Sequence, residues 1–164
     1  MLRDKSLIPL SHQHQHALAL CVRIERASPI RDADLAAWQA EITQIFQNEI
    51  GIHFAAEEQA VFASARRFVE LVPLAEELTS DHARLREKFA QAESRSMSAS
   101  ALSAFAQLLS SHVRKEERQL FERLQRLMNH EELAALGRQL DDALKNTQQA
   151  CLLPTEATRL RPRN

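Results

Sequence analysis

Two stretches of this sequence share a spacing that can hold a metal ion: His53-Phe54-Ala55-Ala56-Glu57-Glu58 and His112-Val113-Arg114-Lys115-Glu116-Glu117, with Phe62 and Phe121 following at the same offset. On an α-helix, residues four apart differ by about 40° in direction and about 6 Å along the axis, so a His and a Glu so placed reach one ion from one face. The segments ahead of them match too: Leu10-Ser11-His12-Gln13-His14 lines up with Leu78-Thr79-Ser80-Asp81-His82. Each half of the chain then offers a helix with one inward imidazole, followed by a helix with His-x-x-x-Glu. Two such hairpins facing each other bring His14, His53, Glu57, His82, His112 and Glu116 to one centre with pseudo-twofold symmetry. Two carboxylates from opposite sides can bridge two cations while imidazoles fill the outer positions. Mixed nitrogen and oxygen donors suit iron or manganese, with zinc admissible.

A single histidine on an apolar helix face is usually a satisfied core residue. Four on four consecutive helices, joined by two carboxylates, are another matter, because each buried charge without a partner costs several kcal/mol. A metal ion offsets that cost by using those lone pairs. The six positions are inward ones. His14 continues the stripe Leu7, Leu10, Ala17, Cys21, and His82 continues Leu74, Leu78, Leu85, Phe89. His112 and Glu116 continue Leu102, Phe105, Leu109 and precede Leu120, while His53 and Glu57 share the line of Phe46 and Ile50.

Helix one also carries His12 and His16, four apart and able to form a separate metal pair. His14 alone lies on the apolar stripe and aligns with His82, which makes His12 and His16 surface residues, with His16 the better candidate of the two for a group behind the ligands. Glu58 and Glu117 are turned about 100° from the proposed ligands, and read either as alternative ligands or as salt-bridged surface carboxylates. Gly51, inside a long helix, costs about 1 kcal/mol relative to Ala and either allows a close approach beside the site or is merely tolerated.

The elements that must position these groups follow from the apolar periodicity. Helix one runs from about Ser6 to Arg26 and ends at the Ser28-Pro29 turn. Helix two starts near Asp32 or Asp34, either of which can cap it, and fades around Arg66 to Glu70. Pro73 sits in the first turn of helix three, and the serine-rich run Ser94 to Ser100 forms the next loop. Helix four ends near Leu127, and Asn129 caps a shorter fifth helix over about 130–150 with Leu133, Leu136, Leu140 and Leu144 on its apolar side. Residues 151–164 read as a flexible tail. Long helices with short connections predict an all-α fold, an up-down-up-down antiparallel four-helix bundle with core residues of about 7–128 and an additional shorter C-terminal helix.

The 164 residues suit one domain with a sizeable core, and the formal net charge of -1 gives no nucleic-acid footprint. Arg159, Arg161 and Arg163 beside Pro162 read as a solvated end. Cys21 and Cys151 are too far apart in the sequence to suggest a disulfide framework or a zinc knuckle. No secretory or membrane-spanning run is present, so the reading is a soluble, cytoplasmic protein, monomer or homodimer, with no membrane partner.

The motifs Gln13-His14, His53 to Glu57, Asp81-His82 and His112 to Glu116, in this order, resemble the hemerythrin-like family, the HHE cation-binding domain, over roughly residues 7 to 128. The resemblance implies two irons bridged by Glu57 and Glu116 and by an oxo or hydroxo group, with His14 and His53 on one iron and His82 and His112 on the other. In the oxygen carriers of that family the third helix brings two histidines four residues apart; here the flanking positions are Leu78 and Arg86. Water, Glu87 or an exchangeable ligand then completes that metal.

Three functions follow as expectations. The first is binding of dioxygen or a related small oxidant, behind an apolar wall of Leu10, Leu18, Phe46, Leu85, Phe105 and Leu109. The second is decomposition of peroxide, and the third an iron, oxygen or nitric oxide sensing module in which helix five and the tail meet a partner. Ferritin-like carboxylate proteins use Glu-x-x-His, a different spacing.

Overall fold

A computed structural model describes residues 2–147 and 154–162, and among them all regular structure is helical, in five helices with no strand. Helix α1 is Ile8–Ala27, with a proline in its first turn, where the missing N–H costs nothing. Helix α2 runs through residues 32–65 and is broken by two π turns, Phe46–Ile50 and Glu57–Phe62. Asp32 and Asp34 lie in its first turn rather than at its cap; Arg31 occupies the cap position and pairs with Asp34 at 2.8 Å. A 3-10 turn, Val69–Leu71, leads into α3, Val72–Glu93. Helix α4 spans residues 99–127, is capped by Ser98, and carries a third π turn, Glu116–Leu120. Helix α5, His130–Leu144, opens with a reciprocal capping box between Asn129 and Glu132.

The first four helices contribute to two apolar clusters, one including Leu20, Ile24, Trp38, Leu85 and Phe105, the other Leu10, Phe62, Leu78 and Leu124. The buried polar groups lie at the boundary. Along α1 and α3 the chain passes from the second cluster through His14 or His82 into the first; along α2 and α4 it passes from the first through His53 and Glu57, or His112 and Glu116, into the second. Four helices thus deliver their polar residues at one level.

The π turns were outside the sequence expectation, and they matter at that level. Each inserts a residue and rotates the following helix by about 100°. Two of them begin at Glu57 and Glu116, matching places in the two halves. As a result adjacent residues Val61 and Phe62, and likewise Leu120 and Phe121, are all buried. Gly51 closes the remaining π turn, Phe46–Ile50, donating its N–H to the Phe46 carbonyl, and a Cβ there would lie 3.0 Å from that oxygen. Close approach is therefore the reason for this glycine.

Helix α5 lays Leu133, Leu136, Leu140 and Leu144 into the second cluster, against α2. Its stripe is spent on the chain's own bundle. The helix ends at Leu144, short of the expected end near residue 150, and residues 145–147 are non-helical; Cys151 lies outside the described residues. The expected flexible tail is in part a docked one: Thr158 is fully buried and its carbonyl accepts from Arg23 Nη1 at 2.8 Å, while Arg161 reaches Asp34 at 3.4 Å. A short polar tail gives no periodicity, so sequence pattern could not show this contact. Among the described residues no helix is long and apolar enough to cross a membrane.

Gly137 seats α5 on the segment before α1, where an added Cβ would meet Ser6 Oγ at 2.8 Å and Ser6 Cβ at 2.9 Å. Gly137→Ala is expected to lower stability by about 1–2 kcal/mol in denaturant unfolding, despite the gain in helix propensity, and Ser6→Gly in the same chain should restore most of the loss.

Candidate metal centre

The six residues singled out in the sequence converge. Glu57, His82, His112 and Glu116 are 0% exposed, and His14 and His53 are nearly so. They form two groups. In the first, His14 Nε2 and His53 Nε2 lie 3.0 Å apart, with Glu57 Oε1 at 3.5 and 3.1 Å from them and Glu116 Oε2 at 3.2 Å from His14. In the second, His82 Nε2 and His112 Nε2 lie 3.0 Å apart, with Glu57 Oε2 3.4 Å from His82 and Glu116 Oε1 3.2 Å from His112. Each glutamate divides its two oxygens between the two groups.

None of these four carboxylate oxygens has a donor in hydrogen-bond geometry. Buried carboxylates in that condition are costly. In each group two nitrogens and two oxygens can be brought within 4.8 Å of one another, close enough to hold a metal ion. The donor set of imidazole nitrogen and carboxylate oxygen is that of iron, manganese or zinc sites. The groups present fit a metal centre.

Behind the four imidazoles stands a second set of residues facing Nδ1. His14 Nδ1 meets Glu117 Oε1 at 2.7 Å, His53 Nδ1 meets Gln13 Oε1 at 2.7 Å, and His82 Nδ1 meets Glu58 Oε1 at 2.8 Å. His112 Nδ1 faces Asp81 Oδ2 at 3.7 Å, and that oxygen accepts from Lys115 Nζ at 2.8 Å. Acceptors at Nδ1 place the proton there and leave the Nε2 lone pair for a cation. Glu58 and Glu117 thus stand behind the ligands of the other half and do not replace their neighbours.

Gln13 does the same within its own half, while Asp81 faces His112 beyond hydrogen-bond distance, and neither placement was disclosed by the position of these residues beside His14 and His82. The rings are also stacked: Phe121 on His14 with centroids 5.6 Å apart, Phe54 on His82 at 3.8 Å, and Phe62 near His82 at 5.1 Å.

Other expectations fall elsewhere. His16 is half-exposed and turns its Nδ1 to Glu49, both of whose oxygens lie 3.1 Å away, so it belongs to neither group. His12 is exposed. Glu87 is exposed on α3 and absent from both groups, since five residues beyond His82 the helix has turned well away. Arg86, at the place where a second histidine would stand, reaches Glu58 at 2.7 Å. Cys21 is buried, and burial pushes its thiol up to about 12, which makes it a core residue without nucleophilic character.

A cavity of about 10 Å³ adjoins the first group, lined by Ala17, Ile50, Phe54, Leu109 and Val113 beside His14, His53, His112 and Glu116. Of the apolar wall expected from the sequence, Leu109 lines it; Leu10, Phe46, Leu85 and Phe105 serve the two clusters, and Leu18 lines an outer groove between α1 and α4.

The chain matches the family described as hemerythrin HHE cation binding domain over residues 9–124, and it belongs to that family. No curated protein and no solved structure matches the chain.

Electrostatics of the metal-free centre give a pH prediction. Burial pulls His14 down, but Glu116, Glu117 and Glu57 hold it well above the ordinary 6.5; against the same burial, Glu116, Asp81 and Glu57 raise His112 to about 9. The His112 ring and Lys115 bring Asp81 down to about 2, and Glu117, against its burial, is brought to about 2 chiefly by His14. The histidine contribution to stability is complete below about pH 6.5 and is lost as pH rises through the folded values, about 9 for His112. The carboxylate contribution is present above about pH 4 and is lost as pH falls toward 2. Metal uptake must displace the histidine protons. Between pH 6.5 and 9 the unfolding midpoint of the metal-free protein should therefore fall while affinity for Zn2+ or Fe2+ rises; affinity that is flat over this window would contradict the assignment.

Proposed function

We propose that this chain is a non-haem di-iron protein that binds dioxygen or a related small oxidant at a carboxylate-bridged centre inside an up-down-up-down four-helix bundle. The observation that carries the reading is the division of Glu57 and Glu116, each with one oxygen toward His14 and His53 and the other toward His82 and His112. A carboxylate so placed serves two cations at once. The bundle topology is supported by the order in which the four helices pass between the two apolar clusters, alternating from one helix to the next.

A reduced pair of irons held there would supply electrons to a bound oxidant. The chain's own residues then do three things. Glu57 and Glu116 would hold the cations in one buried place. Gln13, Glu58 and Glu117 fix three of the imidazole planes from behind, and Asp81 supplies a negative charge opposite the fourth. Ala17, Ile50, Leu109 and Val113 shape a space of about 10 Å³, near one water molecule in size, which admits a ligand of two or three atoms and keeps bulk water away. Each histidine pair offers two nitrogens, so with a single histidine on α3 the two positions would have equal protein donors.

The test is to load the protein anaerobically with Fe2+ and follow its absorption after mixing with dioxygen. A visible band that appears and then disappears under argon is expected, and Ala17→Leu, which fills the small cavity, should slow its appearance several-fold. Irreversible oxidation with no such phase would contradict binding, and sustained oxygen release from added peroxide would favour the catalytic alternative.

A further inference from the structure

We propose that Arg3 and Arg86 are positioning residues for the two metal positions, each clamping at once the carboxylate and the aromatic ring that hold one histidine. The inference rests on the metal-binding reading above and concerns how firmly each position is built. Arg3 lies ahead of α1. From Nη2 it donates to Glu117 Oε2 at 2.6 Å and to the Glu117 carbonyl at 2.8 Å, and from Nη1 to Gln125 Oε1 at 3.0 Å. Its guanidinium carbon stands 5.2 Å from the centre of the Phe121 ring. Glu117 is the acceptor at His14 Nδ1, and Phe121 is the ring stacked on His14.

Arg86, on α3, repeats the pattern at the other position. It donates to Glu58 Oε1 at 2.7 Å, and its guanidinium carbon stands 5.6 Å from the centre of Phe54. Glu58 is the acceptor at His82 Nδ1, and Phe54 is stacked on His82. The two arginines do not correspond in the internal repeat: one precedes its histidine by most of a helix-length of chain, the other follows by one turn. The same closed set of contacts therefore arises twice from unrelated places. The other two histidines have no such clamp, since His53 is held by the amide of Gln13 and Asp81 opposite His112 is drawn to Lys115.

The chemistry calls for arginine. Its planar fork can hydrogen-bond a carboxylate while its face lies against an aromatic ring, whereas a lysine ammonium is a compact charge with no planar face to hold both partners in one geometry. Fixing both neighbours of an imidazole fixes the direction of its Nε2 lone pair, and loss of such outer support commonly weakens metal binding 10- to 100-fold.

The test is anaerobic titration of the full chain with Co2+, read by its visible absorption, in two backgrounds. His82→Ala leaves the His14 position intact, and His14→Ala leaves the His82 position. In the first background Arg3→Gln should weaken binding about tenfold and Arg86→Gln should not; in the second the pattern should reverse. Arg3→Lys and Arg86→Lys should recover only part of the loss. Arg67→Gln is the control, because Arg67 pairs with Glu132 and lies over Phe68 without touching the centre. Weakening of both positions by either arginine, or of neither, would overturn the clamp. Failure of the unsubstituted chain to take up cobalt at all would instead sink the metal reading on which it rests.

Discussion

Carboxylates and imidazoles in the middle of an apolar bundle can persist only if something compensates the loss of water. Glu57 and Glu116 have no exposure, and none of their oxygens meets a donor in hydrogen-bond geometry. Facing imidazoles can carry protons in place of a cation, which is what the raised values of His14 and His112 describe. Under the reading proposed above, cations would do so more completely, because they would use the inward lone pairs of both groups. Burial here is an uncompensated cost in the helices themselves and a source of affinity for whatever ion enters.

The rest of the molecule serves that layer. Two apolar clusters, one on each side, hold four helices so that their polar residues meet at one level. The π turns at Glu57 and Glu116 let each helix turn a carboxylate into the buried layer and, beyond it, swing Phe62 or Phe121 against a histidine of the other half. Exchange between halves is the recurring device: Glu58 stands behind His82, and Glu117 behind His14. Neither hairpin makes a complete site alone, so the pseudo-twofold repeat in the sequence is a requirement of the centre.

The six residues that converge were legible in the sequence because they break an apolar stripe, and a histidine or glutamate among leucines is a strong signal at helical spacing. The same periodicity located the helices and the Asn129 cap. It could not locate what depends on a side chain from a distant helix. Gln13 and Asp81 look like ordinary polar neighbours of His14 and His82 until His53 and His112 are placed beside them. Glu87 was a plausible replacement ligand by proximity in sequence, but helix geometry turns it to solvent and gives the place to Arg86. The π turns shift the phase of a helix without any residue type to mark them, apart from Gly51, whose reason shows only beside the Phe46 carbonyl. The docking of Thr158 likewise depends on Arg23, far away in the chain.

Iron content together with Mössbauer spectroscopy of protein loaded anaerobically and then oxidised tests the shared-carboxylate centre most directly. Two irons per chain with spins coupled through common bridges would bear the account out. A single uncoupled iron, or iron bound equally well after both Glu57 and Glu116 are replaced by Gln, would contradict it.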